Sequence, residues 1–92
     1  QATKVIVELP ASYPRDGAEW RAELVARVGG KLVGKRKLRH EFAGAFSSRM
    51  ELLVQLPPGV LDLRVKCWRN QVGVAKLQVA AGGGGEVVIP IK

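Results

Sequence analysis

Apolar and polar residues alternate along most of this 92-residue chain with a period of two. That is the period of a strand with one face buried and one face wet. In residues 3–9, Val5, Val7 and Leu9 share one face and Ile6 takes the other. Pro10 ends the run, and Pro14 with Gly17 marks a loop to about residue 18. Residues 49–56 place Met50, Leu52, Val54 and Leu56 inward, with Arg49, Glu51 and Gln55 outward. Residues 60–69 do the same with Leu61, Leu63, Val65 and Cys67 against Asp62, Arg64, Lys66 and Trp68. Residues 72–80 set Ala75, Leu77 and Val79 opposite Lys76 and Gln78. Residues 86–92 close the series with Val87, Ile89 and Ile91 inward, and Pro90 in that strand argues for a sheet edge.

Two segments read less simply. In residues 19–28, a period of two puts Trp20, Ala22, Leu24, Ala26 and Val28 on one face, with Arg21, Glu23 and Arg27 opposite and Val25 intruding. A period of 3.6 also works: Trp20, Leu24 and Val28 form a stripe, Asp16 with Glu19 resembles a capping box, and Gly29 could close a helix. The strand is preferred, because the alternation is nearly complete and the neighbouring segments are β. Residues 31–40 follow a Gly29-Gly30 turn and carry many charges and Gly34. Charge and glycine blunt a sheet edge, so an edge strand is expected, bulged near Gly34. Residues 42–48 hold Phe42, Phe46 and small residues. Pro57-Pro58-Gly59 and Asn70-Gln71 are further turns, and Gly82–Gly85 reads as a flexible loop.

About seven short strands with turns every 8–12 residues are the signature of an all-β antiparallel sandwich. Residues 1–92 form one domain: the chain is too short for two cores, and no linker divides it. No apolar run approaches membrane-spanning length, and no signal peptide is visible.

The formal charge of +7 and pI near 10.2 favour acidic partners, although basic surfaces also serve solubility. The densest cluster is Lys31, Lys35, Arg36, Lys37, Arg39 and His40. It could grip phosphates, or simply be a solvated edge strand. Nucleic-acid-binding sheets add aromatic stacking platforms, which this run lacks, so no nucleic acid is expected. Trp68, outward between Lys66 and Arg69, is a candidate partner anchor.

Catalytic chemistry has little to stand on. His40 is the one histidine, the eight carboxylates are scattered, and Cys67 is expected as a buried structural thiol. The four-glycine run precedes a strand and lacks a following Lys-Ser/Thr, so it is no phosphate cradle. No catalytic residue, metal site or cofactor is expected.

The order of these features resembles a known family. The strand ending in Leu9-Pro10, the alternating Trp20–Val28, Gly34, Phe46 before Arg49–Leu56, and Pro57-Pro58-Gly59 opening Leu61–Trp68 look like the YscW-type lipoproteins. These are the secretin pilots (pilotins) of type III secretion systems. The resemblance implies an outer-membrane lipoprotein on the periplasmic face that binds a secretin subunit and promotes its targeting and ring assembly. It implies a lipid anchor upstream of residue 1, since neither Gln1 nor Cys67 suits lipidation. A monomer is expected, with Lys35, Arg36, Lys37, Arg39 and Trp68 as the partner-binding residues. The stretch Pro57-Pro58-Gly59 with Leu61–Val65 also resembles transthyretin-like and carboxypeptidase-regulatory modules, which would make this an accessory sandwich of a larger extracytoplasmic protein. A basic nucleic-acid-binding domain is a third reading.

Overall fold

A computed structural model describes residues 1–11, 19–41, 48–67 and 71–92. Among these residues there are seven strands: β1 (Thr3–Glu8), β2 (Glu19–Val28), β3 (Lys31–Glu41), β4 (Arg49–Val54), β5 (Gly59–Cys67), β6 (Val72–Val79) and β7 (Glu86–Pro90). They make two sheets, ordered β4-β1-β7 and β3-β2-β5-β6. The all-β, two-sheet, seven-stranded architecture is the one expected from the alternation.

Between the sheets lies one continuous core. Val5, Val7, Met50, Val54, Val87 and Ile89 face Trp20, Leu24, Leu61, Leu63, Val65 and Val79 across it. Each large side chain fully buried here contributes about 1.5–3 kcal/mol through lost apolar hydration. The Trp20–Val28 segment is a strand, not a helix. It pairs on both flanks, with β3 and with β5, and without it those two strands would have no common neighbour to hold them in one sheet.

The Gly29-Gly30 turn joins β2 to β3 with φ of 55° and 82°, the left-handed pair a tight two-residue hairpin requires. Among the described residues β3 pairs only with β2, as an edge strand. Its bulge falls at Val33, beside Gly34: Ala26 opposes Gly34 and Arg27 opposes Leu32, leaving Val33 over. β7 is also an edge, where Pro90 removes no needed donor.

One pairing departs from the antiparallel rule. β1 and β7 run parallel, with Lys4 opposite Glu86 and Glu8 opposite Pro90. The glycine run extends this pairing and is not a free loop. Lys4 N–H donates to the Gly85 carbonyl at 2.9 Å, Gly84 N–H to Gln1 at 3.0 Å, and the buried Thr3 hydroxyl to Gly84 at 2.8 Å. Gly83 sits at φ +79°, and a β-carbon there would collide with the Gln1 carbonyl.

The two flanks of the sandwich differ. On one, β6 and β7 close on each other: Lys92 N–H donates to Val72, and Gly73 lies so near that a β-carbon would meet the Pro90 carbonyl at 2.6 Å. On the other, β3 and β4 barely meet, and Arg36 crosses the gap. Its Nε donates to the Gln55 carbonyl at 2.9 Å.

A candidate protein-docking face

Strand register decides which charges stand together. On the outer face of the four-stranded sheet, neighbouring strands are about 4.8 Å apart and successive same-face residues about 6.8 Å apart. In the row nearest the β2 start, Arg21 opposes Arg39. In the next, Glu23 lies between Lys37 and Lys66, with Val72 beyond. The third row runs Lys35, Val25, Arg64, Val74 and contains no carboxylate. In the fourth, Asp62 lies between Arg27 and Lys76.

These cations are not equally available. Glu19 pairs with Arg21 and, at 2.9 Å, with Arg39, while Glu41 also holds Arg39 at 2.9 Å. The Arg21 hydrogen bond holds the Glu19 carboxyl below its usual range, with the Arg21 and Arg39 charges adding to the effect against a smaller opposing push from burial. Lys76 faces Asp62 at 3.9 Å. Among the described residues, Lys35, Lys37, Arg64 and Lys66 close no ion pair, and Glu23 reaches neither of its lysine neighbours. The uncompensated charge of the face therefore centres on its second and third rows. Its floor there is apolar: Val25 is half-buried and Val74 is 66% exposed.

The five residues singled out from the sequence divide accordingly. Lys35, Lys37 and Arg39 share this face. Arg36 does not: opposite Leu24, it turns to the other side of β3 and binds Gln55. Trp68 lies outside the described residues. Arg64 and Lys66 were absent from the candidate set, although alternation already pointed both outward. Only the β3-β2-β5 strand order brings them beside Lys35 and Lys37. Arg36 was separable in advance, since consecutive residues of a strand face opposite ways.

Two open depressions mark the face. One, of about 440 Å³, is bordered by Lys37 and Lys66 around Glu23, with Ala22 and Leu38 on its wall. The other, of about 350 Å³, is bordered by Arg27, Arg64 and Lys76 around Asp62 and Val74.

The rest of the surface offers less chemistry. Cys67 is buried, and burial pushes its thiol up to about 11, with the Trp20 N–H pulling weakly the other way. That N–H has no well-formed acceptor, so the thiol is a poor partner to it rather than a full one. A thiol so placed is a weak nucleophile. Among the described residues no three His, Cys, Asp or Glu side chains gather as metal ligands would. No protein-family model, curated protein or solved structure matches the chain.

Proposed function

We propose that this domain holds an acidic protein segment on the outer face of its four-stranded sheet. One observation carries the reading: the row Lys35, Val25, Arg64, Val74 pairs two uncompensated cations with an apolar floor of which Val74 is exposed. Cations alone would serve solubility. Cations beside the half-buried Val25 and the exposed Val74 give an acidic peptide both charge attraction and apolar surface to bury. Phosphodiester backbones fit less well. The described part of the face has no aromatic platform on which bases could stack.

The pattern resemblance supplies the specific form of this proposal. The domain is a secretin pilot at the periplasmic side of the outer membrane, carried by a lipid anchor upstream. Its partner is a type III secretin subunit, which it targets and helps into a ring. Calorimetry of the domain with a secretin C-terminal tail tests this. A saturable complex is expected, weakened about tenfold or more by Lys35→Glu with Lys66→Glu and by high salt. Absence of heat under every condition would end the pilot reading.

The accessory-module reading has one feature in its favour. Because β1 and β7 run parallel, residue 1 and residue 92 lie toward opposite ends of the three-stranded sheet. Such a domain can be strung between others. An enzyme or receptor contiguous with it in the gene, with no lipidation cysteine upstream, would favour that reading over the pilot.

A further inference from the structure

Three connections meet at one end of the sandwich, and none of them contains a charged residue: Gly29-Gly30, residues 55–58 and residues 80–85. Turns are ordinarily polar, because they face water. These are built from glycine, proline and alanine, with one leucine and one glutamine. They lie against each other. An added β-carbon at Gly59 would stand 3.8 Å from the Val28 side chain, and one at Gly34 would stand 3.8 Å from Pro57. Gly59 also pairs with Val79, just before the third connection. Around these turns Val28, Leu32 and Val33 are exposed, and Val60 is 62% exposed. Leu32 opposes Arg27, and Val60 stands one row beyond Asp62. Neither of the two depressions is lined by any of these four side chains.

We infer that this end is a membrane-contacting tip, which rests on a lipid bilayer bearing anionic headgroups. Cations flank the apolar turns. Lys31 follows Gly30 directly, Arg27 stands beside Leu32, and Lys35 lies farther along β3. Among the described residues none of the three closes an ion pair. Two carboxylates near this end each have a cation beside them: Asp62 faces Lys76 at 3.9 Å, and Glu86 lies opposite Lys4. Exposed apolar side chains with unpaired cations beside them supply both terms of interfacial binding, buried apolar area and attraction to anionic lipid. A protein partner would seat its anchor residues in pockets, and both depressions lie elsewhere. A fluid bilayer needs no pocket, because it closes around the side chains that meet it. Insertion is shallow, since the turn peptides keep polar groups that need water or headgroups. The lipid anchor proposed upstream of residue 1 would hold a bilayer at this same end, where Gly84 N–H donates to the Gln1 carbonyl.

Vesicle binding tests the tip separately from the acidic-segment reading. The whole chain is sedimented at low salt with vesicles of equimolar phosphatidylglycerol and phosphatidylcholine. Binding is expected, about tenfold or more stronger than to phosphatidylcholine alone, and lost at high salt. Leu32→Ser with Val60→Ser should weaken it about tenfold and leave binding of a secretin tail unchanged. Urea unfolding of that variant checks that it is folded. On the native chain, a nitroxide-bearing lipid in the same vesicles should broaden the amides of Gly29, Gly30, Leu32 and Val60 before all others. Broadening centred on Lys37, Arg64 and Lys66 would overturn the inference, because the basic face and not the tip would then meet the lipid. Failure to sediment with either vesicle would overturn it too, and would leave the acidic-segment reading standing. Saturable shifts at Leu32 and Val60 with a secretin tail, and none with vesicles, would assign the tip to a protein instead.

Discussion

Lys35 and Arg36 are neighbours in sequence and stand on opposite faces of β3. Lys35 opposes Val25 on the outer face, and Arg36 donates from Nε to the Gln55 carbonyl at the gap between the sheets. The two changes should therefore separate function from stability. Lys35→Glu is expected to weaken acidic-peptide binding and leave the urea midpoint nearly unchanged, as an exposed side chain without an ion pair should. Arg36→Ala should leave binding intact and cost about 0.5–1.5 kcal/mol, the net worth of an exposed hydrogen bond. Paired titration and urea curves on both variants check this. Loss of binding in Arg36→Ala alone would contradict the assignment of faces.

At Gly73, β6 lies hard against β7. An added methyl would meet the Pro90 carbonyl at 2.6 Å and the Ile89 side chain at 2.7 Å. The carbonyl belongs to the backbone of β7 and cannot turn aside, so β6 and β7 must part. Gly73→Ala is expected to destabilise by about 1–3 kcal/mol in equilibrium urea unfolding. A neutral result would mean that the β6–β7 flank is looser than its packing indicates.

The glycine run gives a second stability test. Thr3 is fully buried, and its hydroxyl donates to the Gly84 carbonyl. Thr3→Val keeps the shape and removes the donor, leaving a buried acceptor unmatched at a cost of about 1–2 kcal/mol. Hydrogen exchange should show the loss first at Lys4 and Gly84, whose amides clasp the same turn.

Cys67 makes stability fall at alkaline pH. Its thiol ionises near 9 in the unfolded chain and is pushed up to about 11 by burial in the fold. Below 9 both states keep the proton, and the thiol contributes no pH dependence. Between 9 and 11 the unfolded chain loses the proton while the folded one retains it, so stability declines, by on the order of 2 kcal/mol in all. Urea midpoints of the native chain and Cys67→Ala, compared from pH 8 to 11, isolate this slope from that of the lysines. The same burial predicts that thiol reagents leave the folded protein unmodified at pH 8.

Much of this fold could be read from the chain because a period of two assigns inside and outside directly. Met50, Val54, Leu61, Leu63, Val65, Ile89 and Ile91 are buried as their alternation requires. The edges were legible too, through the charges of β3 and through Pro90. Ile6 behaves differently: it lies on the outer face of its sheet and is still only 1% exposed, a burial that alternation does not express. The parallel β1–β7 pair was hidden because local pattern carries no strand direction. For the same reason the sequence gathered basic residues by density along β3, whereas the face gathers them across β3, β2 and β5. Lys66 stands beside Glu23 although 43 positions separate them in the chain, a proximity set by strand order alone.

The most direct measurement is a titration of isotope-labelled protein with an acidic secretin C-terminal tail, followed through backbone amide shifts. Saturating shifts at Val25, Lys35, Lys37, Arg64 and Lys66, with the three-stranded sheet silent, are expected. Shifts confined to β1, β4 and β7, or an unchanged spectrum at high tail concentration, would contradict the assignment of the four-stranded face as the docking surface.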